Sequence, residues 1–208
     1  PQVVTVSGVP DSIADADQAV TIAISVNGAG TPDATGYAGI NPPDVSVTNQ
    51  NTDIAGFTVT PGTSLFVSET GTTAQFSVKL NTKPVGTVVV AVASQNTGEV
   101  TVNASSLTLD ASNWSTAQIV TVTGVNDGVA DGDKVVTVAL TVNTGLTTDT
   151  AYAALNPADV TVTNSDIGVP GVTVTNQTGL AVSENGTTAQ FSVALNSMPS
   201  GNVVINVD

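Results

Sequence analysis

Cysteine, histidine and arginine are absent from this chain of 208 residues, and lysine occurs only three times. Without Cys and His, the chain cannot build zinc sites of the usual kind, and it has no thiol nucleophile, imidazole base or Ser-His-Asp triad. The absence of Cys is compatible with either redox compartment. Because the commonest catalytic groups are missing, we predict that the protein is not an enzyme.

Positive charge is equally scarce: 17 acidic residues stand against three lysines, for a net charge of −14. Nucleic acids and anionic membrane surfaces are bound through Lys and Arg, so nucleic acid is nearly excluded as a partner and anionic membrane surfaces are disfavoured. No apolar run approaches the roughly 20 residues that span a bilayer, and no signal segment opens the chain. We expect cations as ligands, no membrane span in this chain, and any export signal or anchor outside it.

Aromatic residues make up only 3% of a chain that is 40% apolar, so the core must consist of Val, Leu, Ala and Ile. Residues 73–80 alternate apolar and polar side chains, which indicates a strand with one buried face. Further strand candidates are 87–93, 106–110, 117–124, 134–142 and 158–163. Gly, Pro, Asn and Asp separate these segments, and none shows a convincing helical period. We predict an all-β fold of antiparallel, Greek-key, Ig-like β-sandwiches.

An internal repeat organises the chain. The segment Ser68-Glu-Thr-Gly-Thr-Thr-Ala-Gln-Phe-Ser-Val-Lys-Leu80 returns almost unchanged as Ser183–Leu195, at an offset of 183 − 68 = 115. A period of this size is that of a whole domain, so we predict a tandem array of domains. The predicted units are the C-terminal part of one repeat at 1–55, a complete repeat at 56–168 and the N-terminal part of the next at 169–208.

Two acidic loops occupy matching positions in this period, at residues 8–17 and 124–133, with an offset of 127 − 11 = 116. Their carboxylates are Asp11, Asp15 and Asp17 in the first loop and Asp127, Asp131 and Asp133 in the second. Neither stretch contains Lys or Arg, so the carboxylates repel one another unless a cation or water intervenes. Calcium (Ca²⁺) takes six to eight oxygens from flexible loops, and we predict calcium sites here. The alternative is that the Asp and Gly residues form solvated turns.

Three Asp side chains supply too few oxygens for calcium, so other segments must complete each site. The candidates are Glu69, Asp166, Asn164 and the Val129 carbonyl. Asp53 and Asp166 lie in short joints between the predicted units, at 49–56 and 164–171. A cation shared between such a joint and an acidic loop would stiffen the hinge.

Four motifs resemble one family: Val67-Ser-Glu69 followed by Gly71, Phe76-Ser-Val-Lys-Leu80, Val125–Asp133 and Val160–Asp166. They are similar to Calx-beta-type sandwich repeats, found in sodium/calcium exchanger regulatory domains and in large bacterial surface adhesins. The resemblance implies calcium ligands at Glu69, Asp127, the Val129 carbonyl, Asp131 and Asp166. Gly128, Gly132 and Lys134 stand where family members carry acidic residues, which implies fewer ions or weaker binding.

These observations lead to one expected function and one alternative. We expect a non-enzymatic, extracellular segment of a bacterial surface protein, a calcium-stiffened stalk or fibre that contacts neighbouring repeats or copies of itself. The end parts lack the equivalents of 94–116, and two readings follow: the chain is a piece of a longer array, which we favour, or strand addition between successive molecules completes a sandwich. The alternative is a carbohydrate-binding module of a secreted protein, with surface glycans or other cell-surface molecules as partners. We expect Trp114 to cover the sandwich end instead of forming a sugar platform.

Overall fold

The computed structural model describes residues 1–30, 36–62 and 64–208, and nearly all of its regular structure is β-strand. The strands are β1 (Gln18–Ile22), β2 (Val45–Asn49), β3 (Phe57–Thr60), β4 (Leu65–Ser68), β5 (Thr73–Leu80), β6 (Val88–Ser94), β7 (Val100–Val102), β8 (Ser106–Leu109), β9 (Gln118–Gly124), β10 (Lys134–Val142), β11 (Val160–Ser165), β12 (Val172–Thr175) and β13 (Ser192–Leu195). The helical elements are α1 (Thr150–Ala153) and 3₁₀ turns at Gly28–Gly30 and Tyr37–Gly39. Within the described residues, no helix has the length and apolar character needed to cross a bilayer.

The strands between residues 57 and 165 form two sheets. One has the order β4-β11-β10-β6-β8 and the other the order β3-β5-β9-β7. All pairs are antiparallel except β4 with β11, which run parallel from Leu65 opposite Val162 to Ser68 opposite Ser165. The prediction of a wholly antiparallel sandwich is wrong for this pair. The two strands lie far apart in the sequence, so the rest of the unit serves as the long crossover that a parallel pair requires.

The core lies between these two sheets and follows the alternation of the sequence. In β5, Phe76, Val78 and Leu80 are buried while the residues between them are more exposed. They join a single cluster with the inward side chains of the neighbouring strands, including Val120 of β9 and Val138 of β10. The all-β prediction is confirmed, because the period-2 pattern was the correct signal for half-buried strands.

The six strand candidates correspond to β5, β6, β8, β9, β10 and β11. Strands β3, β4 and β7 were not predicted. They contain only three or four residues each, too few to show an alternation over several positions. Their place in the fold therefore depends on their partner strands.

Aromatic side chains close the core at one end. Tyr152 in α1 is buried, and its ring meets Phe57 edge to face at 5.4 Å between centroids. The Tyr152 hydroxyl donates to the Thr82 carbonyl at 2.8 Å, which satisfies a polar group in an apolar setting. Trp114 is half-buried and packs against the same core cluster.

The C-terminal flanking part reproduces a local contact of the central unit. Asn81 donates its backbone N–H to the Gly56 carbonyl at 2.9 Å, and Asn196 does the same to Gly171 at 2.9 Å. Each flanking part forms only one two-stranded sheet, β1 with β2 and β12 with β13. Their apolar side chains are consequently left largely exposed.

Each acidic loop also forms a backbone hydrogen bond with the next predicted unit of the chain. The N–H of Lys83 donates to the Ser12 carbonyl at 2.8 Å, and Ile13 forms a parallel bridge with Lys83. At the second junction, the N–H of Met198 donates to the Gly128 carbonyl at 2.9 Å. Ser12 and Gly128, whose carbonyls accept these two bonds, both adopt positive φ, at 70° and 75°. The same backbone contact therefore occurs at both junctions.

Candidate metal centre

Three carboxylates converge at the end of the sandwich where the second acidic loop lies. Glu99, Asp127 and Asp131 each bring one oxygen to within 4.8 Å of the other two. Asp127 and Asp131 come from the loop between β9 and β10, and Glu99 directly precedes β7. Calcium–oxygen distances are about 2.3–2.6 Å, so ligands on opposite sides of one ion lie up to about 5 Å apart. The spacing of the three oxygens fits a single calcium ion.

A buried amide holds Glu99 in this arrangement. Asn164 is 1% exposed, and its Nδ2 donates to Glu99 Oε2 at 2.9 Å and to the Val125 carbonyl at 3.0 Å. Its Oδ1 is buried and has no hydrogen-bond partner among the described residues. An unsatisfied buried acceptor costs free energy, which a cation or an ordered water would offset.

One of the three carboxylates already has a cationic partner. Lys134 Nζ lies 3.0 Å from Asp131 Oδ2 and donates to the Asp131 carbonyl at 2.8 Å. Hydrogen bonding and attraction to Asp131 raise the pKa of Lys134. The stretch 124–133 contains no cation and by itself indicated that all its carboxylates are unpaired. In the structure, Asp131 is paired with Lys134, the residue directly after that stretch. A calcium ion at Asp131 must compete with this ammonium group.

Glu69 lies beside the cluster but outside the group of three. It is buried, and its Oε2 accepts the Ile167 N–H at 3.2 Å. Burial raises the pKa of Glu69, and the nearby charges of Asp166 and Asp127 add to this effect. The sequence-predicted Glu69 therefore lies close to both the acidic loop and the tail, where the charges of Asp127 and Asp166 act on it.

This raised pKa has a measurable consequence when no metal is bound. A carboxyl whose folded pKa lies above its unfolded value of about 4.5 contributes stability below that value and loses it as pH rises through the folded pKa. We expect Glu69→Gln to raise the Tm in EDTA at pH 7 and to flatten the Tm profile between pH 4.5 and 7. Circular dichroism melts across this range measure both effects.

Glu184→Gln is the matched control, because Glu184 occupies the equivalent repeat position and is exposed. It should leave the pH profile of the wild type unchanged. The pKa of Asp166 is lowered, so its contribution is lost only as pH falls below about 3.8 and does not overlap this window. A Glu69→Gln profile as steep as that of the wild type would contradict the assignment.

Asp133 and Asp166 join the loop to the tail. Asp133 Oδ1 accepts the Ser165 hydroxyl at 3.1 Å and the Asp166 N–H at 3.0 Å. Asp166 Oδ2 accepts the Gly132 N–H at 2.7 Å, and the N–H groups of Gly132 and Gly168 lower the pKa of Asp166. Both carboxylates use these oxygens to hold backbone in place, and neither belongs to the group of three.

The Val129 carbonyl, also expected as a ligand, faces the tail. It lies 2.7 Å from the position that a Cβ would take on Gly168. The Val129 N–H donates to Asp127 Oδ1 at 2.8 Å, and Val129 forms a parallel bridge with Met198. The residue therefore links the acidic loop to the segment that follows the tail.

The N-terminal acidic loop lines a pocket of about 210 Å³ that includes Asp11, Asp15 and Asp53. Asp17 Oδ1 accepts the N–H of Asn51 at 2.9 Å, the contact that Asp133 makes with Asp166. Asn51 therefore occupies the repeat position of Asp166. The sequence-predicted ligand Asp53 lies two positions after Asn51 and is not the counterpart of Asp166. In the part of the chain that the structure describes, the only group of three carboxylate oxygens this close together is the one at the second loop.

Glu99 is the site residue that the sequence did not predict. Its partners Asp127 and Asp131 were found because the acidic loop occurs twice within the chain, whereas Glu99 has no counterpart among the 208 residues. One signal was present: Glu99 directly precedes the buried Val100 in a chain with few charges. A carboxylate in such an apolar setting requires a partner.

No protein-family model and no curated protein matches the chain. Among solved structures, one similar chain is WR4, an MSP family member of C. elegans, with 13% identity and a TM-score of 0.34. Another is SSP-19, an MSP-domain protein like family member of Caenorhabditis elegans, with 20% identity and a TM-score of 0.34. Each alignment covers 52% of this chain and 95% or 96% of the other.

Proposed function

We propose that this chain is a calcium-stiffened structural segment of a bacterial surface protein, without enzymatic activity. The observation that carries the proposal is that one loop, residues 124–133, takes part in two arrangements at once. It supplies Asp127 and Asp131 to the carboxylate group, and its Gly128 carbonyl accepts the N–H of Met198 in the following segment. A cation bound to the loop would therefore act on the junction.

The mechanism follows from charge neutralisation. Glu99, Asp127 and Asp131 repel one another when no metal is bound, and Lys134 offsets only part of this repulsion. A bound calcium ion would tie the acidic loop to Glu99 at the start of β7 and restrict the motion of the loop. The loop would then hold the following segment through the Gly128 and Val129 contacts in a fixed orientation.

The proposal extends to the whole chain as a tandem array of Greek-key sandwiches of about 115 residues. The matched backbone contacts at Lys83 and Met198 support it, since they occur at the same position of the sequence repeat. Extracellular calcium modules commonly bind with Kd values of about 10⁻⁴ to 10⁻³ M. Sites of this strength would be occupied outside the cell, where such an array would serve as a stalk or adhesive fibre.

A calcium titration of the 208-residue chain tests the mechanism. For a Kd of about 10⁻⁴ M, 10 mM calcium stabilises the folded state by about 2.7 kcal/mol, and we expect the Tm to rise by several degrees. Small-angle scattering should show a longer, less variable particle in calcium than in EDTA. Magnesium should act more weakly, because it dehydrates reluctantly and requires octahedral geometry.

The control is NaCl at the ionic strength of the calcium buffer, because a chain of net charge −14 responds to screening alone. Identical melting and scattering in calcium and in EDTA would disprove the proposal. An equal response to NaCl would show charge screening without a site, and would disprove it as well.

A further inference from the structure

A turn between β5 and β6, residues 82–85, is held by two side chains that lie much later in the sequence. The Thr82 N–H donates to the Tyr152 hydroxyl at 3.1 Å, and the Val85 N–H donates to Asp149 Oδ2 at 2.8 Å. The Tyr152 hydroxyl in turn donates to the Thr82 carbonyl at 2.8 Å. These bonds fix both ends of the segment, which we call the receiving turn.

The two side chains that hold the receiving turn are themselves fixed by the sandwich. Asp149 is 2% exposed and Tyr152 is 1% exposed. Asp149 Oδ1 accepts the N–H groups of Ala151 and Tyr152, so this carboxylate also caps α1. Its hydrogen-bonding requirement is met by three backbone N–H groups in all. The receiving turn is therefore anchored on buried groups with defined positions.

The remaining N–H of the receiving turn, on Lys83, donates to the preceding unit. Its acceptor is the Ser12 carbonyl at 2.8 Å, and Ile13 forms a parallel bridge with Lys83. Pro84 has no N–H to donate. Every N–H of the turn is thus accounted for: two bond within the central sandwich, and one bonds to the acidic loop of the unit before it.

The acidic loop offers this carbonyl from a left-handed residue. Ser12 has a φ of 70°, which is uncommon for a residue with a Cβ and costs conformational energy. At the second junction, Gly128 accepts the Met198 N–H and has a φ of 75°. Residues 197–200 repeat the receiving turn at an offset of 197 − 82 = 115. A carbonyl from a residue of positive φ is therefore common to both contacts.

We propose that the receiving turn is a docking site for the acidic loop of the preceding repeat, and that Asp149 and Tyr152 are its positioning residues. The partner is a loop that offers a backbone carbonyl from a residue of positive φ. The contact uses no metal, so it joins the two units before calcium is bound. The inference rests on the tandem array of the proposed function but not on its calcium site.

Tyr152→Phe tests the positioning role of the hydroxyl. The substitution removes the bonds to Thr82 but keeps the ring that meets Phe57. Amide hydrogen exchange of the 208-residue chain in EDTA, followed by NMR, compares the Lys83 N–H with that of Val120 in β9. Val120 is fully buried and exchanges only when the sandwich opens, so the ratio of the two rates separates local release from global unfolding. We expect this ratio to rise roughly tenfold.

Tyr37→Phe is the matched control. Tyr37 occupies the same repeat position, at 152 − 115 = 37, and is 62% exposed. Its substitution should leave the ratio of the wild type unchanged. A rise equal to that of Tyr152→Phe would overturn the positioning role.

A substitution in the acidic loop tests the partner side of the contact. Ser12→Val lies in the preceding unit and removes no bond of Asp149 or Tyr152. A β-branched residue strongly disfavours positive φ, so we expect the ratio to rise roughly tenfold here as well. Ser12→Gly relieves the strain and should lower the ratio. Ser7→Val is the control, because Ser7 is exposed in the same unit and has no positive φ.

A ratio equal to that of the wild type in either Tyr152→Phe or Ser12→Val would overturn the proposal. Repeating the calcium titration on the same proteins separates this result from the proposed function. A calcium response together with unchanged ratios would overturn the docking site alone. Raised ratios in both variants without any calcium response would support the docking site and overturn the calcium mechanism.

Discussion

Replacement of Gly124 by alanine is expected to destabilise the central sandwich by about 3 kcal/mol, a typical cost of inserting an atom into a well-packed interior. A Cβ at this position would overlap the backbone carbonyl of Ser68 and lie 2.6 Å from Asn164 Oδ1. Gly124 also pairs with Val100 at the end of β9, so the strand cannot move away without breaking the ladder. Reversible thermal melting in EDTA measures the effect, and we expect the Tm to fall by roughly 10 °C or more.

Gly8→Ala provides a control at the equivalent repeat position. A Cβ on Gly8 would meet only the Asn49 side chain, at 2.6 Å from its Oδ1, and no backbone atom within 4 Å. The half-buried Asn49 side chain can shift more readily than the Ser68 backbone, so the Tm should fall by much less than it does for Gly124→Ala. An equal fall in Tm for the two variants would show that overlap with Ser68 of β4 is not the cause of the destabilisation in Gly124→Ala.

Glu99→Gln is expected to remove most of the calcium response of the chain. The substitution eliminates the buried charge of the carboxylate group but keeps an oxygen that accepts the hydrogen bond of Asn164 Nδ2, so the fold should persist. We expect the Kd for calcium to rise at least tenfold, a loss of about 1.4 kcal/mol or more of binding free energy. Isothermal titration calorimetry measures the Kd, and melting in EDTA confirms that the variant is folded.

The same change at Glu184 alters the net charge equally but at an exposed position that does not belong to the group. Glu184→Gln should bind calcium as the wild type does. A Glu99→Gln variant that retains the wild-type Kd would contradict a role for Glu99 as a ligand. Loss of binding in both variants would instead indicate a general effect of net charge.

Much of the fold could be predicted because a short-range alternation of apolar and polar residues marks its core side chains. The alternation in residues 73–80 places Phe76, Val78 and Leu80 on one face, and these side chains are indeed buried. The parallel pairing of β4 with β11 could not be predicted in this way. It joins Leu65 to Val162, nearly a hundred residues apart, and no local pattern encodes which strands lie next to each other.

The residues of the candidate site fall into the same two groups: those that local sequence predicts and those that only the folded chain brings together. Asp127 and Asp131 could be predicted because they lie close together in the sequence and the repeat duplicates their loop. Glu99 and the amide of Asn164 reach the same point only after β7 and β11 have taken their places in opposite sheets. Asp133 and Asp166 were expected as ligands, but folding brings them to backbone N–H groups, which use the same oxygens.

The sequence by itself determined that the chain is a β protein, that its two acidic loops recur at an offset of 116 residues, and that its net charge is −14. These properties depend on composition and on short-range spacing, which the chain carries before it folds. The tertiary structure alone decided which carboxylates share a space, which are used by the backbone, and that each acidic loop contacts the following segment. The physical reason is that oxygen positions a few ångströms apart are set by strand pairing between distant residues, and this pairing exists only in the folded state.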